Sequence, residues 1–453
     1  MKLCTLKIVD QEGFSLGYPK NWSQSKPVKV SFGGATEEVQ SAPLTTADHT
    51  FLLSKPLAEK LYMPLTIRRI HVIQKDNTLY FGPLIGIITS GFTSIKTKPI
   101  GDRSSFFSRI MRFQAKQGVV FIVFGKDHIN WDEGTIKGFS YNEQGWEQIT
   151  VPFPNVIYDR LPNRKMEGEE KFRIVKKKLQ DEYLIPWFNP GFFNKLDVFE
   201  RIEQDNDAQR YLPETHAFTS FDVIERMLSK YGHVYVKPQN GSLGSGIHQL
   251  FYDRDSDSYY CRFKDKEGNK RLRKYQTLES LFNNLFKNKS LKNMMIQQGI
   301  ALMKYNHHPV DFRVHTNKDE AGNWTVSAIA AKVAGTGSPT THIKYGGEVK
   351  TLEEIFPDTK QRKKIEDQIT EASLILSRAL EKNMEGIIAE IGFDLGVDQQ
   401  EQIWLFEANS KPGRSIFIHP DLKGFEHLTR KLMLSYAIYL TKMSILSPEE
   451  LFS

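Results

Sequence analysis

The chain has 453 residues, 40% of them hydrophobic, which is enough apolar material for two or three domains with their own cores. No window approaches the ~18 apolar residues of a spanning helix, the opening MKLCTLKIVDQEG lacks the layout of a signal peptide, and Cys4 and Cys261 can form neither a disulfide framework nor a CxxC knuckle. A globular protein of a reducing, cytoplasmic compartment with no membrane contact is therefore expected, and its net charge of +7 suits polyanions or acidic substrates, although no nucleic-acid-binding motif accompanies it and a nucleic-acid partner is not expected.

Residues 1–78 read as β-rich. The runs LCTLKIV, VKVSF and LTIRRIHVI are separated by turn-forming glycines and prolines, and a small β-barrel or sandwich used for docking is expected. From residue 79 the pattern changes to strand LYFGPLIGIIT, amphipathic helix SSFFSRIMRFQAK and strand GVVFIVF, the signature of a parallel α/β unit. GFSYNE, WEQITVPF and PNVIYDRLPNR close this block at about residue 190, ahead of which the charged run from Lys165 to Lys178 reads as a solvated helix face or, less simply, a phosphate-binding patch.

The third block, 191–453, carries the chemistry. FFNKLDVFERIEQ and FDVIERMLSKYG are helical, the second capped by Gly232. Val234 and Val236 then alternate up to Lys237, followed by a loop containing Gly241, Gly244 and Gly246 and a second strand, IHQLFY. Closely spaced glycines let backbone N–H groups approach phosphate oxygens, and a lysine at the strand end adds a point cation. GxxxxGK(S/T) is absent and no helix follows, so neither a Walker A loop nor a dinucleotide fingerprint fits; a phosphate-covering flap and an ordinary flexible turn both remain. ESLFNNLFKNK is a helix, and MMIQQGI is a strand compatible with an adenine-binding hinge. HHPVDFRVH puts Asp311 and Arg313 on one side of a strand, where the arginine serves either a surface ion pair or a phosphate, while His307 and His308 read as loop residues. WTVSAIAAKVAG is a strand with Lys332 near its end, TGSPTTHIKYGG suits a mobile loop, and 360–382 is a core-covering helix.

IGFDLGVDQQEQIWLFEANSKPG alternates as a hairpin with its turn at Gln399 to Gln402. A register symmetric about the Gln400–Glu401 bond sets Asp394 opposite Glu407 and Gly392 opposite Asn409. Directly opposed carboxylates repel at Cβ separations of roughly 5 Å. A cation between them relieves this, and an all-oxygen Asp/Glu/Asn set favours Mg²⁺ over zinc or copper. An ordinary amphipathic hairpin is the other reading, and a one-residue slip would undo the geometry.

Taken in order, NKLDVFE, LPET, VYVKPQNGSLGSGI, IQQGI, DFR, AAKVAGTGSPTTHIKYGG and GFDLGVD with LFEANSKPG resemble the ATP-grasp superfamily across about 190–440. With PNVIYDRLPNR ahead of them, their wording is most similar to the YheC/YheD group associated with endospore coats. The resemblance implies an α/β (α+β) chain: an ATP-grasp domain at 191–453, a pre-ATP-grasp α/β domain at 79–190 and a small β-rich N-terminal domain at 1–78. It implies that Lys195 and Lys237 contact the phosphates of ATP under a cover loop of Gly241, Ser242, Gly244, Ser245 and Gly246. Gln297, Gln298, Gly299 and Ile300 would border the adenine, Arg313 and Lys332 would act on the transferred phosphoryl group, and Asp394, Glu407 and Asn409 would hold Mg²⁺. It also implies carboxylate and amine substrates (an amino acid, peptide or protein), spore-coat partners, and residence in the mother cell or forespore. Three positions depart from the usual pattern: His342 stands where asparagine is common, Lys332 where arginine is common, and Gln298 where glutamate is frequent.

Overall fold

The computed structural model describes residues 1–22, 25–45, 49–239, 246–265, 267–286, 291–338, 340–341 and 346–452. In the N-terminal sheet of eight strands, Ala35–Glu38 and Gln40–Leu44 lie at opposite edges yet are separated in the chain by Val39 alone. The sheet therefore rolls until its two edges meet, which is the barrel of the two forms expected. Thr78–Gly82 pairs inside this sheet, and Leu84–Ile88 begins the next one. LYFGPLIGIIT is thus two strands rather than one. Pro83 stands between them without the N–H a ladder needs, so by sheet membership the barrel runs to Gly82 rather than residue 78.

In the second sheet Leu84–Ile88 lies between Val120–Phe124 and Val156–Asp159, parallel to both. All three strands are buried along their whole length, which accounts for their continuous apolar sequences. The expected single helix over 104–116 is two, Ser104–Met111 and Gln114–Gln117, the second capped by Gly118 at φ +63°.

Two antiparallel sheets make up the third block. One runs, in order, Thr215–Ala217, Met294–Gln298, His233–Pro238, His248–Asp253, Ser258–Lys264 and Lys270–Tyr275, with helices Phe221–Tyr231 and Leu278–Leu285 packed on it. The other runs Glu348–Lys350, Trp324–Val333, His308–Lys318, Glu390–Val397 and Ile403–Asn409. Its Val310, Phe312, Val314 and Phe393 form one core with helices Lys195–Glu203 and Thr359–Asn383. His307 lies in a turn at φ +67°, but His308 opens a strand instead of belonging to the loop. The long helix Lys423–Leu446 returns to the second sheet, where Met433, Tyr436, Ala437 and Leu440 share a core with Ile85, Ile87 and Phe121. Among the described residues no helix is long and apolar enough to cross a membrane.

Candidate functional site

The hairpin of Glu390–Val397 and Ile403–Asn409 sets Asp394 opposite Glu407 and Gly392 opposite Asn409, as the alternation predicts. It gets there by an unexpected path. From Val397↔Ile403 to Leu395↔Leu405 the pairing runs one residue off that register, and Phe406 is the extra residue of a bulge that restores it. Phe406 thus leaves its carbonyl pointed at a side chain from another sheet, described below.

Two other strands of the sheet bring cations to Asp394. Arg313, its direct partner in register, donates from Nε to Oδ1 at 2.9 Å and from Nη2 to Oδ2 at 3.1 Å, a two-pronged contact. One strand further on, Lys332 lies opposite Asp311 and places Nζ 2.9 Å from Asp311 Oδ1 and 2.9 Å from Asp394 Oδ1. The hydroxyl of Thr341 donates to the second oxygen of Asp311. Burial works against the charge of Asp394, but Arg313 and Lys332 outweigh it and hold the carboxyl at about 2. Burial raises the pKa of Asp311, the more protonatable of the two acids sharing Lys332. It also acts to lower that of Lys332, where the two aspartates prevail and keep the ammonium charged.

Glu407 is met from a different direction. Asn194 caps helix Lys195–Glu203 by accepting from the N–H groups of Leu196 and Asp197, which fixes Lys195 in the first turn with Nζ 3.2 Å from Glu407 Oε2. Lys237 reaches over from the other sheet, donating to Gln297 Oε1 at 2.7 Å and to the Phe406 carbonyl at 3.2 Å. It is 6% exposed, and burial followed by the nearby Lys195 lowers its pKa to about 7. Four cationic side chains and three carboxylates therefore meet where the two sheets approach each other.

Gly241, Ser242, Gly244 and Ser245 of the expected cover loop, and His342, lie outside the described residues. The flanking strands His233–Pro238 and His248–Asp253 pair antiparallel, and Gly246, two residues ahead of the second, has φ +74°. Gln297 and Gln298 end the strand that pairs with both Thr215–Ala217 and His233–Pro238. Gln297 faces Lys237 and also donates to Thr215 Oγ1, while Gln298 Oε1 accepts from the backbone of Glu214. Gly299 follows at a crowded point where a Cβ would meet the His233 ring at 2.0 Å, and Ile300 accepts from the Leu302 N–H. Of the expected metal set, Asp394 and Glu407 share the cluster and Asn409 lies one step along the same hairpin.

A family model for YheC/D-like ATP-grasp domains matches residues 184–440, more than half of the chain. The chain belongs to the YheC/D-like ATP-grasp family. It is 41% identical over 438 residues to the endospore coat-associated protein YheD of Bacillus subtilis, covering 97% of this chain and 96% of that protein. It is also 24% identical over 347 residues to the endospore coat-associated protein YheC of the same organism, covering 76% and 93% respectively. Among solved structures, D-alanine–D-alanine ligase from Bacillus anthracis, complexed with ATP, aligns with a TM-score of 0.45 at 13% identity, over 80% of this chain and 100% of that one.

In this ATP-grasp chain, sequence reasoning missed three parts of the cluster. Asp311 was visible only as a neighbour of Arg313, although an acid and a base two residues apart on one strand, followed by a strand ending in lysine, is the pattern of a cross-strand charge network. Neither Thr341 nor the Phe406 carbonyl left a mark in the pattern. The first acts through a loop, and the second through a bulge that alternation alone does not reveal.

Proposed function

We propose that the chain is an ATP- and Mg²⁺-dependent ligase that activates a carboxylate as an acyl phosphate for attack by an amine. The observation that carries this reading is the convergence of Lys195, Arg313 and Lys332, from three different elements, on Asp394 and Glu407, with Lys237 bonded to the carbonyl of Phe406 beside them. Four basic side chains against three carboxylates leave positive charge in excess when Lys237 is protonated, a setting that suits a phosphate chain. The oxygens of Asp394, Glu407 and Asn409 suit Mg²⁺, and the cations now holding the two carboxylates are groups that phosphate oxygens would draw toward themselves. When bound, the metal supplies charge neutralisation at the β- and γ-phosphates.

The remaining work falls to the chain itself. Lys195 and Lys237 orient the phosphates, while Arg313 and Lys332 offset charge spreading over the transferred group. Gln297 and the Phe406 carbonyl hold Lys237 in position. A substrate carboxylate oxygen bonds to the γ-phosphorus as the bond to ADP breaks. An amine then attacks the acyl carbon, phosphate leaves, and the nitrogen gives up a proton to form the amide. Positioning and electrostatics suffice, and no protein nucleophile is required. The substrates are an amino acid, peptide or protein carboxylate and an amine. The names of the two Bacillus subtilis relatives support a link to the spore coat, with the protein working in the cytoplasm of the mother cell or forespore.

Glu407→Gln is expected to abolish substrate-dependent ADP release while leaving the circular dichroism spectrum unchanged. Unaltered turnover would reject the metal assignment. One feature favours a second reading, a spore-coat adaptor that keeps the fold and ATP binding without turnover: both oxygens of Asp394 are already engaged by Arg313 and Lys332. That reading predicts a rise in Tm with Mg·ATP and no ADP release with any carboxylate and amine pair.

A further inference from the structure

A cavity of about 390 Å³ lies against the joint between the parallel α/β block and the loop that follows Asn409. We propose that this cavity binds the free carboxylate end of an amino acid or short peptide. The inference rests on the ligase reading for the fate of that ligand, but not for its binding.

The cavity has two carboxylates on its wall, and both are committed elsewhere. Asp159 accepts from Lys411 Nζ at 2.6 Å, from the Leu161 N–H at 2.9 Å and from Trp187 Nε1 at 3.1 Å. Glu167 accepts from the Phe192 N–H at 3.2 Å and lies 3.5 Å from Lys411. Lys411, with its side chain 2% exposed, is the shared counter-ion of this pair.

The cations of the same wall are differently placed. Arg164 donates to the carbonyl of Phe193, Arg173 to that of Gly168 at 2.7 Å and Lys176 to that of Pro190 at 3.0 Å. A carbonyl carries no net charge, and among the described residues none of these three has a carboxylate within 4.0 Å. Asp159 and Glu167 act on Lys176 only at longer range, so none of the three cations is held in an ion pair and each can meet a ligand's charge. Burial holds the pKa of Lys176 below the ordinary lysine range, so an incoming anion would replace solvation that this ammonium has lost.

The rest of the lining selects the kind of anion. Phe172 and Trp187 are buried, and the Phe192 ring has the Arg164 guanidinium 5.6 Å and the Lys411 ammonium 4.6 Å from its centroid. A fork of donors beside aromatic walls suits a carboxylate attached to an apolar body better than a bare phosphate. The location also matters. Lys411 follows Asn409 by two residues, so their Cα atoms lie within about 7 Å. Through its contacts to Asp159 and Glu167, Lys411 ties the cavity wall to the chain just past the end of the acidic hairpin.

The test is calorimetric titration of the full chain, without nucleotide, with free amino acids and dipeptides, with the same dipeptides amidated at the C-terminus, and with inorganic phosphate. At least one free-carboxylate probe is expected to bind, its amidated form to fail, and Arg173→Glu and Lys176→Gln each to weaken binding by about tenfold or more. Both variants are expected to keep the rise in Tm with Mg·ATP, which shows that they remain folded. Absence of binding by every carboxylate probe, binding indifferent to amidation or to both substitutions, or binding of phosphate alone would overturn the proposal. Failure of the unaltered chain to respond to Mg·ATP would instead strike the ligase reading and leave the titration standing.

Discussion

Lys237 has its ionisation poised near neutral pH. Burial, reinforced by Lys195, brings its pKa to about 7, so it is charged below that pH and neutral above it. A triphosphate prefers the charged form. The affinity for Mg·ATP, measured by calorimetry, is therefore expected to fall as pH rises through about 7, with proton uptake visible at pH 8 as an enthalpy that depends on the buffer. Lys237→Met should remove this dependence and weaken binding by about tenfold or more. An affinity that stays level from pH 6 to pH 8.5 would show that Lys237 does not face the nucleotide. Asp394 follows the opposite sign: its folded pKa of about 2 lies below the unfolded value of about 3.9, so its contribution to stability is complete above pH 4 and is lost as pH falls toward 2.

At the scale of elements, the acidic hairpin depends on room for its bulge. A Cβ at Gly396, in a buried strand, would come 2.4 Å from Phe406 Cζ and 2.7 Å from Leu302 Cδ2, so both side chains would have to move aside. Gly396→Ala is expected to cost about 1–3 kcal/mol in urea denaturation, the usual penalty of overpacking. Because it displaces Phe406, whose carbonyl accepts from Lys237, it should weaken Mg·ATP binding as well; normal affinity with lowered stability would mean that the bulge serves folding alone. The same hairpin shows what sequence reveals. Period-two alternation fixed which residues share a face, and so brought out Asp394, Glu407 and Asn409 in their pairing, but an inserted residue such as Phe406 adds no feature of its own to a hydrophobic pattern. The parallel strands 84–88 and 120–124 were legible for a related reason, being apolar throughout because both faces are covered. Pro83 and the break after Met111 were local interruptions that periodicity read through. The Asp159–Lys411 pair was out of reach, since it joins residues 252 positions apart that become neighbours only after both blocks have folded.

On the scale of the whole molecule, the α/β block and the ATP-grasp block are joined by buried charge. Glu390, at the start of the Asp394 strand, accepts from Tyr158 Oη at 2.6 Å and from Arg160 Nη1 at 2.9 Å, and Arg414 Nη2 lies 3.7 Å from its other oxygen. Asn189 adds a neutral clamp, donating to the carbonyls of Glu390 and Ser410 and accepting from the N–H groups of Ala389 and Glu390. Helix Lys423–Leu446 supplies apolar residues to the core of the α/β block from the far end of the chain. An interface built this way should unfold together with the blocks it joins, giving one calorimetric transition. Glu390→Ala leaves Arg160 and Arg414 buried without this carboxylate, and a loss of about 3–5 kcal/mol is expected, since the desolvation of the arginines remains after their attraction to Glu390 is gone. Glu401→Ala is the control: its partner Lys364 is 59% exposed, and removing that pair should change stability by no more than about 1 kcal/mol. If Glu390→Ala separates the melting curve into two transitions, the buried charge is what couples the blocks. If it lowers one transition uniformly, the C-terminal helix and the Asn189 clamp hold them together without it.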